Sequence, residues 1–145
     1  MKLSGSYIVP FEREKAYQLL QDPAVLAKCM PGTDRLEKVG TDEYEMKMKM
    51  VISSFSGLFS GKVRIAEPNF PEHFQLIVEG NGKIGFLKGQ GALKLAPKDG
   101  ASTEVNYDGD VQVGGTIAAV GQRLIESTAK MIIRKFFEKF SEEKA

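Results

Sequence analysis

Between Tyr44 and Ile52 the chain alternates without a slip. Tyr44, Met46, Met48, Met50 and Ile52 are apolar, and Glu45, Lys47, Lys49 and Val51 stand between them. Successive side chains of a strand point to opposite faces, so this segment has one apolar face and one that is charged over most of its length. Such a strand belongs to an antiparallel sheet wetted on one side, not to a parallel sheet buried on both. Further strands are expected at Lys2–Val9, Lys62–Glu67, His73–Glu79, Lys83–Leu95 and Ser102–Val113. Phe74, Leu76 and Val78 share a face of one; Val105, Tyr107, Gly109, Val111 and Val113 share a face of the last. Pro97-Lys98-Asp99-Gly100 has hairpin-turn chemistry. Gly85, Gly89 and Gly91 interrupt the longest strand and predict bending or bulges. Ser53–Ser60 reads as a turn region, unusual in holding Phe55, Leu58 and Phe59.

A sheet with one apolar face must bury it against another layer. After Gly114-Gly115, Thr116 to about Lys139 contains no proline and reads as one long helix, the only element able to cover the sheet. Ile117, Val120, Gly121, Leu124 and Thr128 share a face in its first half. Ile125, Ala129, Ile132, Ile133, Phe136 and Phe140 form the stripe of its second half, which leaves Phe137 on the polar side as a contact site. Two short helices follow strand 1. Glu12–Gln21 carries Ala16, Tyr17, Leu19 and Leu20 on one side; the second opens at Asp22-Pro23, a cap and a first-turn proline, and breaks at Met30-Pro31-Gly32. The 145 residues fit one domain, 1–145. The expected fold is α+β: a curved antiparallel sheet of about seven strands wrapped around a long C-terminal helix. A gap between the two layers makes it a container.

Charge and composition exclude several classes of function. Lys and Arg number 20 against 19 Asp and Glu, so nucleic-acid binding through a basic face is not expected. His73 is the only histidine and Cys29 the only cysteine, which rules out an internal disulfide, a thiolate metal cluster and a multi-histidine site. No metal and no covalent cofactor is expected. The N-terminus has no apolar signal core and no run reaches the ~18 apolar residues of a membrane span, which points to the cytoplasm.

Few motifs bear chemistry. Gly80-Asn81-Gly82-Lys83-Ile84-Gly85 has dinucleotide-binding spacing, but a strand rather than a helix should follow it, so it reads as a hairpin. His73 has no visible orienting partner, and Cys29 reads as a packed small apolar group. Asp108 and Asp110 share a face but should point to solvent, away from Tyr107 and Val111. The row Met46, Met48, Met50 is the most informative feature: flexible thioethers facing Gly85, Gly89, Gly91, Gly109 and Gly121 suggest an apolar cavity. Its expected lining is Met46, Met48, Met50, Val63, Leu76, Leu87, Tyr107, Val111, Ile117, Val120, Gly121 and Leu124, with the Tyr107 hydroxyl offered to a ligand carbonyl. Phe55, Leu58 and Phe59 are expected to fold inward as a lid, to touch a membrane or partner, or to pack beneath the turn. Phe86 and Phe137 join them as entrance or contact residues.

Gly114-Gly115-Thr116-Ile117-Ala118-Ala119-Val120-Gly121-Gln122-Arg123-Leu124-Ile125, with Phe136-Phe137, resembles the carbon monoxide dehydrogenase G-subunit family of the START-like, or Bet v 1-like, superfamily. Cys29-Met30-Pro31-Gly32, Gly61-Lys62-Val63 and Gly85-Phe86-Leu87-Lys88-Gly89 extend the likeness over nearly the whole chain. The resemblance implies a helix-grip fold and an accessory role beside molybdenum hydroxylases of the carbon monoxide dehydrogenase type: recruiting them to the inner face of the membrane and linking them to respiration. It implies no catalytic residues. Members often continue into a variable tail, sometimes a membrane anchor. This sequence runs to Ser141-Glu142-Glu143-Lys144-Ala145, so transient inner-membrane contact is expected rather than stable tethering. The expectation is a noncatalytic binding protein holding a quinone or other isoprenoid. A ligand-free adaptor for the molybdenum enzyme is the first alternative, and a cyclase- or hydratase-like enzyme the second.

Overall fold

In a computed structural model, which describes residues 1–52 and 54–143, the chain folds into a seven-stranded antiparallel sheet and three α-helices. The elements run β1 (Lys2–Val9), α1 (Arg13–Leu19), α2 (Pro23–Cys29), β2 (Thr33–Gly40), β3 (Glu43–Ile52), β4 (Phe55–Asn69), β5 (His73–Gly82), β6 (Gly85–Asp99), β7 (Ser102–Gly114) and α3 (Gln122–Phe140). The strand order is β1-β7-β6-β5-β4-β3-β2: a meander from β2 to β7, closed by β1 on the far edge. This is the expected helix-grip arrangement.

Local chemistry sets most boundaries. The Asp22 side chain accepts the Ala24 amide at 2.9 Å and Pro23 opens α2, as the sequence requires. The Asp99 carboxylate takes the Ala101 amide, the Ser102 amide and the Ser102 hydroxyl, which closes the β6–β7 hairpin. Thr103, fully buried, donates its hydroxyl to the Phe11 carbonyl at 2.7 Å and ties β7 to the segment before α1.

Four expectations need correction. β2 is a strand that the sequence pattern does not announce: Leu36 is its only inward apolar residue, and as the edge of the sheet it is polar on both faces. Residues 55–60 are strand rather than turn; Ile52 pairs with Phe55, which turns Phe59 inward and Leu58 outward. Ser53, in the same expected turn, lies outside the described residues. The C-terminal helix is not continuous: Thr116–Val120 is a 3₁₀ turn, and Gly121, at φ +96° and ψ 150°, separates it from α3. That backbone conformation is open to glycine and hostile to residues with a Cβ. Finally, Gly89 and Gly91 are not bulges, because the pairing of β6 with both neighbours is unbroken through them. A Cβ on Gly109 would lie 2.8 Å from the Gln90 carbonyl oxygen, and one on Gly91 3.2 Å from that of Asp108. These glycines serve close approach of neighbouring backbones on the inner face.

The interior divides into two cores. The larger contains Val9, Phe11, Ala16, Tyr17, Leu20, Val25, Cys29, Tyr44, Phe74 and Val105 with the end of α3. Phe137 stacks on Tyr7 at 4.7 Å, and Phe140 meets Phe11 edge-on at 5.5 Å. In the smaller core only Ile52, Phe59 and Ile117 are fully buried, with Met48, Met50, Ile84, Val113, Val120 and Ile125 partly exposed around them. One pole of the molecule is dense and aromatic, and the other is thinly packed.

Candidate functional site

The thin pole holds a partly open cavity of about 80 Å³ between the sheet and the first half of α3. Met50 and Ile52 of β3, Phe59 of β4, Phe86 and Leu87 of β6, and Val111 and Val113 of β7 form its floor and walls. Ile117 closes one end, Met1 reaches in, and Ile125, Thr128, Ala129 and Ile132 of α3 roof it. Thr128 supplies the only polar side chain among the described lining residues, and none of them has a titratable side chain. Such a wall gives shape and apolar area to a ligand, with the Thr128 hydroxyl as its polar group. Among the described residues no group of three or more His, Cys, Asp or Glu is placed to hold a metal ion.

Of the residues expected to line a cavity, Met50, Leu87, Val111 and Ile117 do so. Met48 packs in the small core without lining the void, and the half-buried Met46 is among the residues that line the trough described below. Val63 and Leu76 pack instead against the dense core. Val120 packs in the small core without lining the void. Gly121 is exposed with nothing within 4 Å of a Cβ, and Leu124 is exposed; the break at Gly121 rotates both away from the sheet. The roof is therefore the stripe Ile125, Ala129, Ile132, legible in sequence as the apolar face of the second half. Phe137 is buried in the aromatic cluster rather than offered as a contact, because β1 on one side and α2 on the other enclose the end of α3. Phe59 is buried core rather than a lid, Phe55 is half-buried, and Leu58 and Phe86 are exposed.

Tyr107 stands away from the void. Its ring lies over Gly5 and stacks with Tyr7 at 6.3 Å, and its hydroxyl has no hydrogen-bond partner among the described residues. Burial, reinforced by Tyr7, pushes its ionisation above the usual phenol range. Burial likewise pushes the Cys29 thiol up, consistent with an inert packed group. His73 has Asn69 Nδ2 at 3.4 Å from its Nε2 and, among the described residues, no carboxylate bonded to its ring, and Asp108 and Asp110 are exposed on the outer face. The segment 80–85 is the β5–β6 hairpin, so no helix N-terminus meets it.

A shallow trough of about 440 Å³ crosses the opposite, outer face, lined by Arg35, Glu37, Glu45, Lys47, Lys62 and Glu79 among others. Arg35 and Glu37, both on β2, pair at 2.7 Å along its edge.

The family model for the G subunit of carbon monoxide dehydrogenase (CoxG) matches residues 5–144. The chain belongs to the CoxG family. This CoxG family member is similar to a solved conserved protein from Geobacillus kaustophilus, at 31% identity and TM-score 0.93, with 98% of this chain and 93% of that one covered. It also resembles a START superfamily protein from Mycobacterium smegmatis at 15% identity and TM-score 0.73, covering 97% and 94%. Norcoclaurine synthase from Thalictrum flavum superposes at TM-score 0.64 with 12% identity, covering 100% and 95%. The last two likenesses establish a START-like helix-grip fold and nothing about chemistry, since that fold holds a synthase as well. No curated protein matches the sequence. Among the described residues no helix is long and apolar enough to cross a membrane.

Proposed function

We propose that this CoxG family member is a noncatalytic accessory protein that carries a lipophilic molecule, a respiratory quinone or similar isoprenoid, beneath α3. It serves a molybdenum hydroxylase of the carbon monoxide dehydrogenase type, on the cytoplasmic side, with transient contact at the inner membrane. The observation that supports this reading is the cavity wall: apolar throughout apart from Thr128, and without a titratable side chain. A drug-sized ligand needs a pocket of roughly 300–1,000 Å³, and the void measures about 80 Å³. Loading therefore requires widening. The half-buried row Met46, Met48, Met50 favours it, because thioether side chains change rotamer at little cost.

The test is mass spectrometry of an organic extract from gently purified protein. A quinone or isoprenoid near one per chain supports the reading. A blank extract, with no uptake of added short-chain quinones by calorimetry, overturns it. The small volume favours one other reading, a ligand-free adaptor that docks on the molybdenum enzyme. Retention of that enzyme by a cavity-filled variant but not by Leu58→Asp, which alters only an exposed side chain, would establish the adaptor.

A further inference from the structure

β2 is one edge of the sheet, and among the described residues no segment but β3 hydrogen-bonds to the backbone of residues 34–39. Asp34, Arg35, Glu37 and Lys38 are exposed on it, and Leu36 between them is half-buried. An open edge of this kind is a template for another strand. Extra residues at Asp34 and Val39 bulge it at either end, which shortens the edge without covering it. Its charges are antisymmetric about Leu36. Arg35 and Glu37 stand one residue to either side, Asp34 and Lys38 two, and each pair is opposite in sign. Laid antiparallel on a second copy about Leu36, the strand therefore sets Arg35 against Glu37 of that copy, and Asp34 against its Lys38, each twice. A slip of one residue opposes Asp34 to Glu37 or Arg35 to Lys38. A slip of two opposes Arg35 to Arg35 or Glu37 to Glu37. Like charges directly opposite are destabilising, so this one register is selected.

Backbone direction agrees with it. The Lys49 amide donates to the Gly32 carbonyl at 2.7 Å and the Ile65 amide to the Asp42 carbonyl at 2.8 Å, so odd-numbered residues of β3 address β2 and even-numbered ones β4. Arg35 and Glu37, in register with Lys47 and Glu45, are thereby turned toward β3. Leu36 is left to direct its amide and carbonyl outward at the centre of the pairing. Within one chain, moreover, β2 and β3 set like against like: Arg35 opposite Lys47, and Glu37 opposite Glu45. Arg35 and Glu37 hold each other at 2.7 Å along the strand, while among the described residues Asp34, Lys38, Glu45 and Lys47 form no ion pair. With a second copy in place the row across four strands runs Lys47, Arg35, Glu37, Glu45, so each like-charged pair meets its opposite.

We propose that β2 is a dimerisation edge, which joins two copies of this chain antiparallel about Leu36 into one continuous sheet. The two-fold axis stands normal to the sheet. Both α3 layers then lie on the same side, and the two thin poles point in opposite directions. The contact is short and falls below the roughly 1,200 Å² of standard complexes, so the dimer is weak and reversible. Nothing in it depends on the cavity or its contents.

The experiment is sedimentation equilibrium of the full chain from about 10 µM to about 1 mM, the range of weak complexes, at about 0.1 M and about 0.5 M salt. A reversible dimer is expected, weaker at the higher salt. An opposite pair on neighbouring strands is worth up to about fivefold, and two such pairs change sign, so Arg35→Glu or Glu37→Arg should each weaken the dimer about tenfold or more. Both substitutions in one chain restore every opposition, and so does an equimolar mixture of the two single variants. The dimer should return in both cases. Far-UV dichroism checks that each variant is folded. Amide exchange locates the contact: the Leu36 amide should exchange more slowly as concentration rises, while the amides of β1, the other edge of the sheet, should not change. A chain still monomeric at about 1 mM would overturn the proposal. So would a dimer that survives both single variants, fails to return in the double variant, or leaves the Leu36 amide unprotected.

Discussion

Filling the cavity from its roof separates a true void from a well-packed interior. Ala129 lines the cavity from α3, and Ala129→Leu adds three carbon atoms directed into it. Void in a core costs about 24 cal/mol per Å³, so removing all of the roughly 80 Å³ is worth at most about 2 kcal/mol. A leucine fills part of it, and about 1 kcal/mol of stabilisation is expected, near 3–4 °C in Tm for a domain of this size. The ligand response should move the other way. A ligand at a hundred times its Kd stabilises the wild type by about 2.7 kcal/mol; the variant, with its site occupied by its own side chain, should gain nothing. Differential scanning calorimetry with and without a short-chain benzoquinone reads both effects. Destabilisation by about 1–3 kcal/mol, the ordinary cost of overpacking, would refute the void. An undiminished ligand-induced shift would refute its being the site.

Phe137→Ala should cost about 3–5 kcal/mol in urea unfolding, because the ring is buried against Tyr7; a surface residue would lose almost nothing. Gly121→Ala should destabilise by about 1–3 kcal/mol through its backbone conformation, yet leave ligand uptake unchanged, since the position opens to solvent rather than to the cavity. Stability should decline at alkaline pH. Burial raises the ionisation of Cys29, Tyr44 and Tyr107, so above the ordinary thiol value and then above the ordinary phenol value the unfolded chain gives up protons the native state retains. Cys29→Ala should delay the onset of that decline into the tyrosine range, as urea midpoints from pH 7 to 10 would register.

What the sequence conveys depends on how local the cause is. β1, the cap of α2 and the β6–β7 turn follow from neighbouring residues, and their positions can be read directly. β3 is legible from its alternation alone. β2 is not, because an edge strand with Leu36 as its only inward apolar residue looks like loop. The run Phe55–Ser60 has the Ser and Gly content of a turn, and only pairing with β3 makes it strand. The candidate site suffers from one misplaced phase. A single helix over Thr116–Lys139 puts Val120, Gly121 and Leu124 on the cavity, whereas a glycine with positive φ restarts the helix and gives the roof to Ile125, Ala129 and Ile132. Cavity volume is out of reach, because a glycine on the inner face both removes a side chain and lets the opposing backbone close in. Phe137 illustrates the same limit: a helix enclosed on two sides has no polar face at that point.

The aromatic grip on one end of α3 has a mechanical consequence. Phe136, Phe137 and Phe140 clamp the C-terminal turns between β1 and α2, and Lys28 holds Glu143 beyond them at 3.2 Å. The other end hangs from Gly121 over a thinly filled space. The helix is thus a cantilever, fixed at one end and sprung at the other, and its tip can lift by releasing Ile125, Ala129 and Ile132 while the clamp holds. Opening of this kind is a local event, far below the free energy of global unfolding. Amide exchange along α3 should accordingly grade from slow near Phe140 to fast near Gln122, and the stiffness of the beam sets how large a molecule can pass beneath it.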